Sequence, residues 1–232
     1  MTGSDTLFSL PDVDALLRDE LACIPHHAAR LPGGRALIVQ ACAANRALPL
    51  DTRHLGAVRL HADQDLLRGD AICKPESMPW EDDAFQLVVV QHAGAHGLSL
   101  DGLIGECSRV LAPGGALLWF ELNPWSPWLG WIHWQARRGM PLPRASHADS
   151  LRRRMHDGHL ATSAIEYFGP CWPGAGSFAA VHRSPLMSPL RGAYLIPASK
   201  PRSVLIPLRQ RFGRERSGLR PQLATPSRRA SA

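Results

Sequence analysis

The sequence contains no apolar run long enough to cross a lipid bilayer. Its longest apolar runs, such as FQLVVV (85–90) and GALLWF (115–120), are far shorter than the about 20 residues that a transmembrane helix needs. The amino-terminal residues also lack the basic region and apolar core of a secretory signal peptide. From the residues alone we expect a cytoplasmic protein without a membrane span.

Paired cysteines are missing as well. The five cysteines are scattered, odd in number and never spaced as C-x-x-C. This spacing argues against a disulfide framework and against a zinc site built from cysteines. We therefore expect no bound metal and mostly buried, reduced thiols at Cys23, Cys42, Cys73, Cys107 and Cys171.

Acidic residues are almost absent from the end of the chain. Residues 200–232 hold nine Lys/Arg and one acid, Glu215, whereas the whole chain has a formal charge of +6. This basic, Pro/Arg-rich tail is poor in large apolar residues and is expected to be disordered. It can contact nucleic acid or acidic membranes, or it can be a solvated end. We favour the solvated end because no aromatic residue is interleaved with the arginines of 213–232.

What is present is an alternation of amphipathic helices and apolar strands. Apolar residues recur at helical spacing in 11–24, and a second helix over 99–111 is capped by Ser99 and stopped by Pro-Gly-Gly. A third helix is expected at 147–158. The predicted strands are 35–41, 55–62, a short one that follows a turn of helix within 63–73, 82–91, 116–122, 160–168 and 192–199.

This order predicts one α/β domain with a mostly parallel sheet. The strand, helix and strand of 82–122 form a β-α-β unit, whose crossover should be right-handed. We divide the chain into an amino-terminal helical segment (1–30), the sheet domain (31–199) and the basic tail (200–232).

The centre of the chain resembles the class I S-adenosylmethionine-dependent methyltransferases. RVLAPGG (109–115) after an amphipathic helix is similar to the RVL-x-PGG signature of this family, and NPWS (123–126) resembles a bacterial subgroup. The resemblance implies a Rossmann-like, seven-stranded, mostly parallel sheet with helices on both faces and an antiparallel last strand. It also implies S-adenosylmethionine as cofactor, lying across the carboxyl ends of the first strands.

The loop after the first strand departs from the family pattern. Members resemble one another in an acid-x-G-x-G-x-G sequence, whose glycines let the ligand approach because they carry no Cβ. Added side chains should shrink the cavity, and the short segment before the next strand leaves little room for the usual first helix. The stretch ALIVQACAAN (36–45) places Val39 at the acid and Ala41, Ala43 and Asn45 at the glycines.

The resemblance nevertheless gives the cofactor a set of binding residues. Asp70 resembles the acid of a turn near the adenine, and Asp63 is the candidate for the acid that binds the ribose. Trp80 lies where the family often has an aromatic residue beside the adenine; the alternative is core packing. The full set is Ala41, Ala43, Asn45, Asp63, Asp70, Trp80 and Gln91.

Methyl transfer needs mainly the alignment of donor and acceptor, and sometimes the removal of a proton. His92 and His96, in QHAGAH, are the nearest candidates for proton removal, but we favour loop histidines with ordinary hydrogen bonds. A metal site would need a third ligand, which the spacing does not supply. Asn123 either orients a substrate or cofactor group or ends the strand in a turn.

Four tryptophans recur at every third residue after the NPWS motif. This spacing is expected to form one stripe on a short helix. Such a stripe is more often a buried or partner-facing surface than a substrate cage, and it would be open to an apolar acceptor or a protein partner. The four are Trp125, Trp128, Trp131 and Trp134.

Two functions remain open from the sequence. The first is a methyltransferase that acts on a small or apolar acceptor facing His92, His96 and Asn123. The second is a catalytically silent relative that binds a protein partner, which the degenerate loop at 41–45 suggests. Nucleic-acid binding by the tail is a distant third.

Overall fold

A computed structural model describes residues 6–52, 54–175 and 188–202. These residues form eight strands, five α-helices and short 3-10 helices. The helices are α1 (Pro11–Leu21), α2 (Ile24–Ala28), α3 (Leu100–Val110), α4 (Trp128–Arg137) and α5 (Ala148–Asp157). The strands are β1 (Gly34–Gln40), β2 (Leu55–Asp63), β3 (Leu66–Gly69), β4 (Phe85–Gln91), β5 (Leu111–Leu122), β6 (Ala161–Thr162), β7 (Glu166–Phe168) and β8 (Ala193–Ser199).

The strands form one sheet in the order β3-β2-β1-β4-β5-β8-β6, and β7 also pairs with β8. The central strands β2, β1, β4 and β5 are parallel, with Val39 opposite both Leu60 and Val90. Strand β8 runs antiparallel to β5. The predicted Rossmann-like fold with an antiparallel last strand is therefore confirmed, and the carboxyl ends of β1 and β4 lie side by side.

Helices cover both faces of the sheet because the side chains of its strands alternate between two cores. Leu37 and Val39 of β1 belong to the same core as residues of α3 and α5. Ala36 and Ile38 belong to the opposite core, which contains residues of α1 and α2. Continuous apolar strands such as β4 are thus buried on both sides.

Three elements differ from their predicted form. The helix predicted over 11–24 ends at Leu21, and a second helix begins at Ile24. Within one continuous helix the ring of Pro25 would clash with the backbone carbonyl four residues earlier. The strand predicted over 160–168 forms two short pieces, β6 and β7, which both pair with β8. The segment after β2 turns back at once into the antiparallel β3, and the predicted turn of helix does not form there.

The connection from β1 to β2 is short. Its described residues contain one 3-10 helix, Ala43–Ala47, and no α-helix. The sheet face that this connection leaves open is covered from the amino-terminal side, where Leu21 and Ile24 pack in one core with Ile38. The amino-terminal helices therefore belong to the packed fold of the described residues.

All five cysteines are free, and three of them are buried. Burial raises the pKa of the Cys107 thiol, which lies fully within the core. None of the helices in the described residues combines the length and apolar character that a membrane span requires. Nearly all of the predicted tail, from residue 203 onward, lies outside the described residues, so its predicted disorder stays a prediction.

Candidate cofactor site

The loop after β1 is fastened to the amino-terminal segment. Ala41 and Asn45 are buried, whereas Ala43 is exposed. The Asn45 side chain accepts a hydrogen bond from the backbone N–H of Cys42 (3.2 Å) and donates one from Nδ2 to the carbonyl of Phe8 (3.0 Å). The asparagine at a glycine position of the family pattern thus joins the loop to residues far away in the chain.

Phe8 fills the space between the loops that follow β1 and β4. Its ring is stacked on His92 with 4.7 Å between the ring centroids and an interplanar angle of 17°. It belongs to the same cluster of buried residues as Ala41 and Ala95, and only 1% of its surface is exposed. A side chain of the amino-terminal segment is therefore packed with the loop to which the resemblance assigns the cofactor.

A buried polar network lies beneath Phe8 and joins α1 to the ends of β1 and β4. Gln40 donates from Nε2 to Gln91 Oε1 (3.3 Å), and Gln91 donates from Nε2 to Glu20 Oε2 (2.8 Å). The other carboxylate oxygen of Glu20 lies 2.9 Å from His92 Nε2. These contacts offset much of the cost of burying the groups and hold α1 in place, although Gln40 Oε1 and His92 Nδ1 have no partner among the described residues.

Two buried carboxylates act on the pKa of His92 in this network. Burial alone would lower the pKa of His92, but the carboxylate of Glu20 and that of Glu121 outweigh it and raise this pKa. Burial raises the pKa of Glu121 to about 7, while His92 and a hydrogen bond from Trp119 oppose the rise. His92 is thus a partner of Glu20 without solvent contact, which is a poor arrangement for a general base.

The two candidate acids lie on the outer part of the sheet. Asp63, the last residue of β2, forms an ion pair with Arg68 at 2.7 Å between Oδ2 and Nε. Asp70 accepts a hydrogen bond from the backbone N–H of Arg59 (2.7 Å) and pairs with Arg46. These contacts, the one to Arg59 foremost, lower the pKa of Asp70. Asp70 is thereby linked through Arg46 to the 3-10 helix Ala43–Ala47, which contains Asn45.

Trp80 lies at the other end of the sheet. Its ring meets the ring of Phe85 edge-on at 5.4 Å between centroids, and Phe85 is the first residue of β4. Gln91 ends the same strand, which places the two ends about 20 Å apart. The backbone carbonyl of Trp80 accepts a hydrogen bond from Arg109 Nη1 (2.8 Å). These contacts fit the alternative of packing.

Both the nitrogen and the oxygen of the Asn123 side-chain amide form hydrogen bonds with backbone groups. Nδ2 donates to the carbonyls of Pro189 (2.6 Å) and Arg191 (2.9 Å), and Oδ1 accepts from the N–H of Trp125 (3.1 Å). These are the contacts of a residue that holds a turn. His96 ends the 3-10 helix Ala93–His96, and its side chain lies outside what the structure describes.

The four tryptophans do not form a single stripe. Trp128 is buried and Trp131 partly buried, whereas Trp125 and Trp134 are exposed. Positions three apart on an α-helix differ by about 60° around its axis, so the series drifts from one face to another. Trp125 moreover precedes α4.

A cavity of about 220 Å³ borders this site. It lies between the segment Thr6–Phe8, Ala95 and Gly97, and the segment Pro141–Arg144. Pockets for small-molecule ligands have about 300 to 1,000 Å³, so this cavity is small for a nucleoside-bearing cofactor. Neither Ala41 nor Asn45 lines it.

Sequence reasoning missed three residues that surround His92, namely Phe8, Glu20 and Glu121. Glu20 continues the apolar spacing of α1, and Glu121 interrupts the apolar run of β5, so a carboxylate at an inward position was a readable signal in both. Phe8 gave no such signal, because its partners lie in the loops after β1 and β4.

Comparisons with known proteins agree with this fold. Residues 34–119 match the family model described as a methyltransferase domain. An S-adenosylmethionine-dependent methyltransferase of Thermotoga maritima superposes with a TM-score of 0.51 at 14% identity, over 81% of this chain and 91% of that one. Geranyl diphosphate C-methyltransferase of Streptomyces coelicolor, crystallised with S-adenosyl-L-homocysteine, gives 0.51 at 16% identity over 78% and 79%. A search of curated proteins gives no match.

Residues 34–119 match a methyltransferase domain, and the described residues have the Rossmann-like fold of S-adenosylmethionine-dependent methyltransferases, as the sequence resemblance predicted. The predicted cofactor, S-adenosylmethionine, is the one that defines this class.

Proposed function

We propose that this protein is a catalytically silent member of its family, which uses the methyltransferase fold as a scaffold for binding a partner. The observation that carries the proposal is the position of Phe8, hydrogen-bonded through its carbonyl to Asn45 and stacked through its ring on His92. Three features of a cofactor site are absent at this place in the described residues: the loop glycines, the acid before them and the helix after them.

The cost of opening this site can be estimated. Exposing a buried phenylalanine side chain to water costs about 3 kcal/mol, which would weaken the binding of any ligand that must displace it about a hundredfold. The real cost is higher, because the hydrogen bond from Asn45 to Phe8 would break as well. Only a ligand with high intrinsic affinity would compensate.

The scaffold offers one exposed apolar surface near the closed site. Helix α4 follows β5, and Trp125 and Trp134 present most or about half of their surfaces to solvent. Surfaces of this kind on a folded domain are typical of contact sites for partners. We assign partner binding to this surface.

A second candidate is an active methyltransferase in which the amino-terminal segment is a lid over the cofactor. The match of 34–119 to the methyltransferase family favours it. In that case S-adenosylmethionine would displace Phe8 and lie between the loop at 41–45 and Gln91, with Asp70 held beside that loop by Arg46, and the acceptor would face His92, His96 and Asn123. Methyl transfer would then need proton removal only if the acceptor is protonated.

Isothermal titration calorimetry with S-adenosylmethionine and S-adenosylhomocysteine separates the two candidates. The silent scaffold predicts no binding heat at millimolar ligand for the full chain. A lid predicts measurable binding by the full chain and about hundredfold tighter binding after Phe8→Ala, which removes the obstructing ring. Binding by the unaltered chain would refute the silent assignment.

The matched control for Phe8→Ala is Phe168→Ala. Phe168 lies in β7 and packs edge-on against Phe120 at 5.9 Å, so its truncation removes the same atoms elsewhere. A gain of affinity in both variants would indicate loosening of the fold. The triple change of residues 41, 43 and 45 to glycine completes the series: binding gained only in this variant would identify the added side chains as the obstacle.

A further inference from the structure

Helix α4 presents apolar side chains to solvent that its packing on the domain does not use. Its inner side is fixed by Trp128, which is buried and donates from Nε1 to the carbonyl of Pro170 (2.8 Å), and by the buried Ile132. The outer side chains therefore remain at the surface of a firmly held helix. We call Trp125 (75% exposed), Leu129 (36%) and Trp134 (49%) the tryptophan face.

The surroundings of the tryptophan face are basic. Residues 123–148 include no acid and contain Arg137, Arg138 and Arg144. Arg138 lies over the ring of Trp134, with 4.5 Å from its guanidinium carbon to the ring centroid. None of the three arginines forms an ion pair with another described residue. Cationic charge and exposed aromatic rings thus coincide on α4 and the residues beside it.

We propose that the tryptophan face binds the surface of an anionic lipid bilayer, with α4 lying in the plane of the interface. Tryptophan rings concentrate at the boundary between headgroups and acyl chains, because one edge of the ring is apolar and the indole N–H can stay hydrated. Arginines beside them attract anionic headgroups, each by a factor of about five near the surface. Helices of this composition bind interfaces without spanning them.

The charge pattern favours a lipid surface over a second copy of the chain. A symmetric dimer brings the same patch of both subunits together, so it would place the arginines of both copies in one interface with no acid in 123–148 to compensate. A substrate cage is disfavoured as well, because Trp125 and Trp134 open to solvent and the cavity at Thr6–Phe8 is lined by other residues.

This inference rests on the proposed function, because it identifies the partner of the silent scaffold as a lipid surface. Its test is nevertheless separate. Vesicle binding depends on α4, whereas cofactor binding depends on Phe8 and the loop at 41–45. Cofactor binding would therefore refute the silent assignment and leave the lipid surface standing, and a failure to bind vesicles would leave the closed site untouched.

The experiment is co-sedimentation of the full chain with vesicles of phosphatidylcholine alone and of phosphatidylcholine mixed with phosphatidylglycerol. We expect binding to the mixed vesicles only, and weaker binding at high salt. The double variant W125Q/W134Q should reduce the partition coefficient by about tenfold or more. The double variant R137Q/R138Q should reduce it by about fivefold per arginine and flatten the salt dependence.

Two control variants remove exposed apolar side chains that are not part of the tryptophan face. They are Trp172→Gln, at a position 56% exposed, and Ile72→Gln, at a position 64% exposed next to the edge strand β3. Both should bind like the unaltered chain. All variants keep the basic tail, so a loss of binding in W125Q/W134Q and R137Q/R138Q that the two controls do not show belongs to α4 and the residues beside it. Far-ultraviolet circular dichroism should confirm an unchanged fold.

Three results would overturn the proposal. The first is no binding to mixed vesicles at low salt. The second is unchanged binding by W125Q/W134Q, which would assign the attraction to the tail. The third is a dimer in light scattering that W125Q/W134Q converts to a monomer, because a second copy would then cover the tryptophan face.

Discussion

Replacing Glu121 by glutamine should stabilise the protein above pH 7 and remove most of the pH dependence of its stability. Glu121 lies in β5 and is almost fully buried. Its Oε1 accepts a hydrogen bond from Trp119 Nε1 (3.1 Å), but Oε2 has no partner among the described residues. A buried carboxylate with one oxygen unsatisfied is costly when charged, and burial raises its pKa to about 7.

The expected magnitude follows from this pKa. The ordinary value is 4.5, so between pH 4.5 and 7 the folded chain keeps a proton that the unfolded chain has already lost. The stabilisation is therefore complete below about pH 4.5 and is lost as pH rises through 7. Since each pKa unit corresponds to about 1.4 kcal/mol, the free energy of unfolding should fall by about 3 kcal/mol across this range.

The assay is urea unfolding followed by tryptophan fluorescence at several pH values between about 4.5 and 8. Glu121→Gln keeps the acceptor for Trp119 and cannot ionise, so it should gain about 3 kcal/mol at the alkaline end. A smaller slope should remain from His92, whose raised pKa gives a stabilisation that is also lost as pH rises.

Glu81→Gln is the matched control, because it removes an exposed carboxyl group. It should leave the pH dependence unchanged. If Glu121→Gln retained the full slope of the unaltered protein, the unsatisfied carboxylate would not be its cause and the reasoning would be wrong.

Three further predictions concern the same fold and the same urea assay. Gly69→Ala should cost about 2 kcal/mol or more, because φ is +146° and an added Cβ would lie 2.2 Å from the carbonyl oxygen of Arg59. Gly56→Ala is its control, with 3.9 Å to the nearest atom, and equal losses in both would contradict this reason. Ser99→Ala should cost about 1 kcal/mol by removing the cap of α3, and an unchanged unfolding midpoint would contradict it. Trp128→Phe should cost about 1 to 3 kcal/mol by removing the indole hydrogen bond to the carbonyl of Pro170, which keeps the bond from the N–H of Gly192, together with part of a buried ring; an unchanged unfolding midpoint would contradict it.

The elements of the central unit were predictable because their signals are local. The sequence places a strand at 82–91 and a helix at 99–111, and the structure has Phe85–Gln91 and Leu100–Val110. The Ser99 hydroxyl accepts from the N–H of Gly102 (3.3 Å), a bond that depends on neighbouring residues only. Alternation of apolar side chains likewise acts within a few residues.

The candidate site was predictable in part. Ala41, Asn45 and Gln91 are brought together at the carboxyl ends of β1 and β4, as the order of strands implies. Trp80 is not brought there, because its place relative to β4 depends on the path of the chain before Phe85.

The sequence by itself determined the strand and helix pattern, the likeness to methyltransferases and the loss of glycines at 41–45. Periodicity, capping and side-chain volume depend on residues that are close together in the chain, so they can be recognised in the sequence. Only the tertiary structure decided that Phe8 packs with Ala41 and stacks on His92, and that Glu20 reaches His92. These contacts join residues more than 30 positions apart, and no local pattern specifies which distant surface a helix will cover.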